Sequence, residues 1–346
     1  MASPPPIHAD NEWSPLKSIL VGRAGDACFP PAPKKMIEAT MPLEHRHHFV
    51  PNSPFPKNIV TKAEQELDQF ARILTDLGIE VHRSTPDIDW AAENGYTGAM
   101  PRDGLMSVGN TLIEACFAWP CRAREIDLAY GSLLKELGRD PRVRVVRRPE
   151  ESFAETLLDE DWFEGERKFV INESRPAFDT ADFMRIGKTI LGQYSHVTNR
   201  KGVEYLRSVV PEGYTVEMVE TDDDKAMHID ATICPLREGL LAFNPERVTE
   251  AELRSHEVLR EWDLRPCPFR PVGCEDPPGF MASGWLCLNV LVLDGRRVVV
   301  EESDGMMASW LEELGMEVIL CPFRNVNSIG GSFHCATVDL VRVDGE

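Results

Sequence analysis

One order of secondary-structure patterns recurs along this sequence: two short apolar strands joined by a turn, an amphipathic helix, and a third strand. Residues 105–147 show it well, because LMSVG and TLIEA flank a turn at Gly109-Asn110. The segment RAREIDLAYGSLLKELG then has apolar side chains at helical spacing and ends at Gly138, and RVRVV follows as a third strand. A chain patterned in this way is expected to fold as a series of similar small sheets.

Three further copies of this order follow between residues 181 and 321, and a fifth copy needs both ends of the chain. FHCATVDLVRV and LKSILVG supply its two paired strands, and IEVHR supplies its third strand. Its helix is predicted over residues 61–77, opened by a capping box at Thr61 and Glu64. Pairing of the two ends closes the series, so the sequence predicts an α/β fold: a five-bladed α/β-propeller of five ββαβ units with pseudo-fivefold symmetry. An ordinary α+β domain with frequent hairpins is the alternative.

The domain organisation is expected to be simple. No stretch of linker composition divides the 346 residues, so we predict a single domain over 1–346, with about residues 1–10 as a loose N-terminal tail. No secretory signal opens the sequence, and no apolar run reaches the roughly 20 residues of a membrane span. Nine scattered cysteines without a CxxC pair favour a reducing, cytoplasmic location, with Cys234 and Cys287 expected in the core.

The charge balance limits the classes of partner. Lys and Arg number 37 against 57 Asp and Glu, which gives a formal net charge of −20. Such a chain repels phosphate backbones and anionic lipid, so we expect neither nucleic acid nor membrane partners. A small cationic substrate would instead be attracted, although a solvated acidic surface is the simpler explanation of the charge.

Polar residues stand where the first strand of every predicted unit begins. They are Asp103, Asp179 with Asp182, His228 with Asp230, Ser283, and Cys335. Taken singly, each has an ordinary explanation as a turn former, a structural ion pair or a buried thiol. In a closed ring, however, these five positions lie at the same end of the central axis, which favours one shared site.

The residue types in this set are suited to attack by a thiol on a guanidinium carbon. A cysteine nucleophile needs a partner that handles protons, and Cys335, His228 and Asp179 supply thiol, imidazole and orienting carboxylate. Two further carboxylates, Asp103 and Asp230, would repel the oxyanion formed from a carbonyl substrate. They match the fork of N–H donors that a guanidinium presents.

Other motifs predict neither a metal nor an organic cofactor. EHRHH at residues 44–48 has the composition of a metal-binding tract, but no cysteine at metal-ligand spacing accompanies it and its setting is proline-rich. VGRAG and RIGKT match neither a phosphate loop nor a dinucleotide fingerprint.

From about residue 11 to about 343 the chain resembles the amidinotransferases, the group that contains glycine amidinotransferase and inosamine-phosphate amidinotransferase. The motifs that carry the resemblance, in the order and spacing of that family, are NEWSPLKSILVGRA, MPRDGLMSVGNTLIEA, FDTADFMRIGK, MHIDATI, FNPERV, NVLVLD and RNVNSIGGSFHCATVDL. The resemblance implies the pentein fold, which agrees with the five units predicted from the repeats.

The resemblance also implies a ping-pong reaction without a cofactor. Cys335 would attack the guanidinium carbon of L-arginine, and His228, partnered by Asp179, would protonate the departing ornithine. The amidino group left on sulfur would then pass to an amine acceptor, giving a guanidino compound. By the same resemblance Asp103 and Asp230 hold the guanidinium. Arg247 meets the arginine carboxylate, and Ser283 lines the pocket.

Three residues depart from the family pattern. Ser332 replaces the third glycine before Phe-His-Cys, Ala282 replaces a serine beside Ser283, and Lys225 stands where members that use glycine carry asparagine. Lys225 favours an acceptor with a carboxylate or phosphate, but the acceptor itself stays open. The alternatives are an arginine deiminase-like guanidine hydrolase and a binding protein without activity. The expected partners are L-arginine and an amine, and a homodimer is compatible with the sequence.

Overall fold

The computed structural model describes residues 5–41, 43–150, 157–165, 168–223, 225, 227–271, 276–281 and 283–343. The strands are β1 (Leu16–Val21), β2 (Glu80–Arg83), β3 (Leu105–Val108), β4 (Thr111–Glu114), β5 (Arg144–Val146), β6 (Phe183–Ile186), β7 (Thr189–Gly192), β8 (Thr215–Met218), β9 (Ile233–Arg237), β10 (Leu240–Phe243), β11 (Asp263–Pro266), β12 (Leu291–Val292), β13 (Arg297–Glu301), β14 (Glu317–Cys321) and β15 (Thr337–Arg342). The helices are α1 (Lys34–Thr40), α2 (Lys57–Asp76), α3 (Pro101–Gly104), α4 (Glu125–Leu137), α5 (Arg200–Val209), α6 (Glu250–Ser255), α7 (Gly305–Glu313) and α8 (Arg324–Ile329).

The described strands form five three-stranded sheets with one shared topology. Their orders are β15-β1-β2, β3-β4-β5, β6-β7-β8, β9-β10-β11 and β12-β13-β14. In each sheet the first strand pairs antiparallel with the second, and the second pairs parallel with the third. A parallel pair needs a crossover, and the helices α2, α4, α5, α6 and α7 supply it in turn. The five-bladed α/β-propeller predicted from the repeats is confirmed, including closure of one blade by both chain ends.

Burial falls from the first strand to the third strand of each blade. All six residues of β15 and all four of β3 and β6 are buried, whereas β11 has three exposed residues out of four. The first strands are covered on both faces, so they lie at the inside of the ring, and the third strands lie at its periphery. Residues that immediately precede the first strands are therefore brought near the centre.

Charged side chains are buried between the innermost strands. The Arg185 guanidinium on β6 donates to Glu12 at 2.7 Å from both Nε and Nη2, and it also pairs with Asp339 on β15. Asp339 further accepts from Arg342 at 2.8 Å and from Arg102 at 3.1 Å. A buried carboxylate needs such partners, and these tie the N-terminal segment, α3, β6 and β15 together.

The predicted N-terminal tail is wrong for the part of it that the structure describes. Ile7 and Ala9 have no exposed surface. His8 donates its N–H to the Leu340 carbonyl at 2.8 Å, and Ala9 and Gly109 exchange two backbone hydrogen bonds at 2.8 and 3.1 Å. Residues 5–10 thus pack between β15 and the β3–β4 turn, a long-range pairing that local composition could not indicate. Residues 1–4 lie outside the described part of the chain.

The predicted capping box is also wrong. Helix α2 begins at Lys57 after Pro56, so Thr61 lies inside it and caps nothing. Glu64 instead accepts from the backbone N–H groups of Ala24 and Gly25 at 2.6 and 3.1 Å, which fixes the loop after β1. Within the described ranges, none of the helices has the length and apolar character required to cross a bilayer. The cytoplasmic location and the single domain stay predictions.

Candidate active site

Short helical turns present the predicted residues at the start of the first strands. Asp103 lies in α3, and Asp179 and His228 directly precede one-turn 3-10 helices over Thr180–Asp182 and Ile229–Ala231. Ser283 precedes another such helix, and Cys335 lies in the turn just before β15. The sequence argument expected this common position in all five blades.

The thiol, the imidazole and one carboxylate meet in space. An oxygen of Asp103, a ring nitrogen of His228 and Cys335 Sγ all lie within 4.8 Å of one another, and all three side chains are buried. His228 Nε2 lies 3.2 Å from Asp179 Oδ2, and Nδ1 lies 3.6 Å from Asp103 Oδ1. Nucleophile, acid–base group and carboxylates are therefore within reach of one small ligand.

The backbone of His228 is held in an unusual conformation. Its φ of 64° lies in the left-handed region, which non-glycine residues seldom adopt. The His228 N–H donates to Asp182 Oδ1 at 2.9 Å, and Asp182 also accepts from Ser195 and Thr198. Asp182 thus fixes the backbone that carries the imidazole, a pattern of supported strain common at functional sites.

Carboxylates set the charge of the imidazole. Burial alone lowers the pKa of His228, but Asp103 and the hydrogen bond to Asp179 outweigh it, and the pKa lies well above its ordinary value. The cationic, protonated form of His228 is therefore favoured. Burial raises the pKa of Asp103 above its ordinary value, although His228 and Arg122 act in the opposite direction.

Arg122, which the sequence analysis did not single out, holds both carboxylates. Its Nη1 donates to Asp103 Oδ2 at 2.9 Å and to Asp179 Oδ2 at 3.3 Å. Its Nη2 and Nε donate to Glu125 at 2.6 and 2.9 Å, and the guanidinium lies over the Phe117 ring at 4.3 Å. Only Oδ2 of each aspartate is used by Arg122, and neither Oδ1 has a hydrogen-bond partner among the described residues.

Asn289 and Asp230 contact the nucleophile directly. Asn289 accepts from the Cys335 backbone N–H at 3.1 Å and places Nδ2 3.0 Å from Sγ, while Sγ donates to Asp230 Oδ2 at 3.3 Å. Burial, followed by the negative charge of Asp230, raises the pKa of the Cys335 thiol to about 12. The protonated thiol is therefore strongly favoured over the thiolate.

Four buried polar atoms around the site have no hydrogen-bond partner among the described residues. They are Oδ1 of Asp103, Asp179 and Asp230, and Nη1 of Arg247. Buried polar atoms are rarely left unpaired, and each unpaired group costs about 1–3 kcal/mol. Unpaired acceptors and an unpaired cationic donor around one site are complementary to a ligand that carries both N–H donors and an anionic group.

A cavity of about 400 Å³ leads to the thiol. His228, Asp230, Arg247, Ser283 and Cys335 all line it. Asp103 and Asp179 line a separate space of about 20 Å³ together with Arg122. Five of the seven predicted site residues thus line the cavity, and Asp103 and Asp179 adjoin it through their contacts with His228.

The outer wall of the cavity is polar. Arg247 is largely buried, and its guanidinium forms an ion pair with Asp223, with Nε 2.8 Å from Oδ2. Lys225 lies at the rim and contacts Glu164 at 3.5 Å, so its ammonium is close to the entrance. Glu44 and His45 of the EHRHH tract also line the cavity. The expectation that the reaction needs no metal or cofactor stays a prediction.

Two cysteines and one of the residues that depart from the family pattern lie at or near the cavity or the core. Cys234 is buried in the core as expected, whereas Cys287 is only partly buried: it packs against the same core cluster and also lines the cavity. Ser332 is buried beside the cavity and lacks a positive φ, so a serine is accommodated there without backbone strain. Ala282 lies outside the described residues.

Five blades with a thiol, an imidazole and carboxylates converging at one end define the class of protein, a pentein. The chain is 40% identical to an L-arginine:L-lysine amidinotransferase of Pseudomonas savastanoi pv. phaseolicola, over 97% of this chain and 94% of that protein. It is 36% identical to the mitochondrial glycine amidinotransferase of Danio rerio, over 97% of this chain and 83% of that protein. No protein-family model matches the chain.

Solved structures agree with these relatives. An amidinotransferase of saxitoxin biosynthesis from Microseira wollei has a TM-score of 0.86 and 33% identity, covering 97% of both chains. The inosamine-phosphate amidinotransferase of Streptomyces griseus has a TM-score of 0.83 and 31% identity, covering 98% of this chain and 97% of that one. The chain belongs to the amidinotransferase family of the pentein superfamily and is a transferase of amidino groups.

Proposed function

We propose that the protein transfers the amidino group of L-arginine to an amine acceptor through an amidino-cysteine intermediate on Cys335. The observation that carries the proposal is the set of four unpaired buried atoms. The free oxygens of Asp103, Asp179 and Asp230 offer acceptors to the N–H groups of a guanidinium. Arg247 Nη1 offers a donor to the carboxylate at the other end of arginine.

The first half-reaction begins when the cationic guanidinium enters the cavity. Its charge offsets that of Asp230, so the thiol of Cys335 ionises and loses its proton to solvent. The thiolate attacks the guanidinium carbon, and the His228 imidazolium then gives its proton to the substituted nitrogen. The carbon–nitrogen bond breaks, ornithine leaves, and a cationic amidino group stays on sulfur beside neutral His228.

The second half-reaction reverses these roles. A neutral amine attacks the amidino carbon, and His228 takes the proton that the nitrogen loses as the new bond forms. The carbon–sulfur bond breaks, so Cys335 is released as a thiolate and the product carries the guanidinium. Because both halves share one proton carrier, ornithine and the acceptor amine must occupy the same place in turn.

This shared place suggests which acceptors are suitable. Arg247 stays available once ornithine has left, and Lys225 adds a second cation at the rim. We therefore propose an acceptor with a terminal amine and an anionic group at a spacing close to that of ornithine, such as L-lysine. The relative at 40% identity carries L-lysine in its name, which supports this choice.

The test is an assay of purified protein with L-arginine and single amines: L-lysine, glycine, amino sugars and inosamine phosphates. Ornithine formed in proportion to a new guanidino compound, and fastest with L-lysine, is the expected result. Citrulline and ammonia without an acceptor would show a guanidine hydrolase instead. The Cys335→Ala variant is the control, because it keeps the cavity but lacks the nucleophile.

A further inference from the structure

His334 lies directly beneath the site and has no part in the reaction described above. Its Nδ1 is 2.8 Å from Asp230 Oδ2, the oxygen that also accepts from Cys335 Sγ. Its Nε2 is 3.4 Å from Glu12 Oε2. The side chain is buried, so water cannot take the place of either carboxylate.

Both ring nitrogens of His334 therefore face acceptors. An ionised carboxylate only accepts hydrogen bonds, and a neutral imidazole has just one N–H to donate. Glu12 is kept ionised by Arg185, whose Nε and Nη2 both donate to it at 2.7 Å. Burial raises the pKa of Asp230, but the hydrogen bond and charge of His334, together with the charge of His228 and the hydrogen bond from Cys335, lower it overall. Only an imidazolium satisfies both partners at once.

We infer that His334 is a positioning residue, held as a cation between Glu12 and Asp230, that keeps Asp230 Oδ1 directed at the substrate and offsets the charge of Asp230 near the thiol. This inference deepens the proposed function and rests on it for the identity of the ligand. By holding Oδ2, His334 leaves Oδ1 as the unpaired oxygen. By its charge, it makes the Cys335 thiolate easier to form.

The other charges around His334 do not alter this conclusion. Arg102 donates from Nε to the His334 carbonyl at 3.3 Å and disfavours a second cation nearby. Burial also opposes the charge on the ring, yet the pKa of His334 is raised above its ordinary value by Asp230 and Glu12. The two carboxylates thus outweigh Arg102 and desolvation together.

The first test uses the unmodified enzyme with labelled histidine nitrogens. Nitrogen NMR is expected to show protons on both ring nitrogens of His334 at a pH above about 6.5, where an ordinary histidine is neutral. A neutral tautomer of His334 at pH 7 to 8 would overturn the inference. This measurement needs no substrate and no variant, so it decides the question even if His334→Gln does not fold.

The second test compares His334→Gln with the wild type. Glutamine can still donate to Asp230 but carries no charge, so the alkylation rate of Cys335 at fixed pH is expected to fall about 10-fold or more. The kcat for arginine is expected to fall about 10- to 100-fold without an increase in KM, because Asp230 keeps its attraction for the guanidinium. Alkylation and kcat equal to wild type would contradict the inference.

His256→Gln is the matched control. His256 is also buried and pairs with a carboxylate, Glu217 at 2.7 Å, but it does not line the cavity. Its replacement should leave alkylation and kcat unchanged, which separates a local charge effect from general loss of packing. If no amine accepts an amidino group even with the wild type, the proposed function fails, while the NMR and alkylation results still decide the charge of His334.

Discussion

Arg247 gives the sharpest test of how arginine would be oriented. Its Nη1 is buried without a hydrogen-bond partner, and its side chain is 11% exposed, so a substrate carboxylate there would be largely removed from water. Loss of one partner from such a charge pair costs about 2–4 kcal/mol, which is about 30- to 900-fold in kcat/KM. The wild type should therefore prefer arginine to its decarboxylated analogue, agmatine, by about this factor.

Arg247→Met tests whether that preference arises at Arg247. Methionine has a similar length but no donor, so kcat/KM for arginine should fall to within a few-fold of the value for agmatine. The value for agmatine should scarcely change, since it has no carboxylate to lose. Ornithine or putrescine release measures each rate, and the four rates form a double-mutant cycle whose coupling term isolates the carboxylate contact.

The control for this cycle is Asp223→Asn. Asp223 forms an ion pair with Arg247, with Oδ2 2.8 Å from Nε, so Arg247→Met also leaves that carboxylate without its cation. If the loss of rate came from disturbing Asp223, Asp223→Asn would reduce activity on arginine and agmatine equally. An Arg247→Met enzyme that still preferred arginine by the wild-type factor would refute the assigned orientation.

The remaining predictions concern the thiol, the imidazole and the N-terminal segment. Cys335→Ala should abolish ornithine formation with an unchanged melting curve, and measurable turnover would exclude Cys335 as the nucleophile. His228→Asn should slow the first half-reaction by about 10²- to 10⁴-fold in single-turnover assays, and an unchanged rate would remove His228 from proton transfer. Alkylation of Cys335 without substrate should keep rising about tenfold per pH unit beyond pH 9, because its pKa is about 12; a plateau near pH 8.5 would contradict this. Ile7 is fully buried, so Ile7→Ala should lower the free energy of unfolding by about 2–5 kcal/mol in urea titrations. An unchanged free energy of unfolding would show that the N-terminal segment does not contribute to stability.

The sequence predicted the ring and the convergence of the site for one physical reason. In this fold the polar residue before each first strand is carried inward by the strand that follows it. Asp103, Asp179, His228 and Cys335 could therefore be placed together from their position within the repeat. The prediction failed where the deciding contact is long-range, as for Glu64, whose partners at Ala24 and Gly25 are about forty residues away in sequence.

The supporting charges could not be recognised in the same way. Arg122, Glu12 and His334 follow no repeat, and in sequence a buried arginine or glutamate is indistinguishable from the many that lie at the surface. Glu12 and His334 did fall within two of the motifs that carry the family resemblance, but a motif does not say which of its members face each other. The pairing of residues 322 positions apart becomes visible only when both chain ends are closed into one blade.

Burial and the carboxylates of the site explain why the Cys335 thiol would be poorly reactive before a cationic ligand binds. Burial raises the pKa of Glu125 to about 7 and that of Cys335 to about 12, and the pKa of Asp103 is raised as well. Neighbouring carboxylates raise the pKa of all three groups further, so the loss of a proton from each group is disfavoured. A guanidinium bound among these groups would lower their pKa values by its positive charge, whereas a neutral molecule such as water would not. The thiolate would thus form when a cationic donor is bound, which protects the cysteine from other electrophiles and makes the identity of the first substrate part of the chemistry.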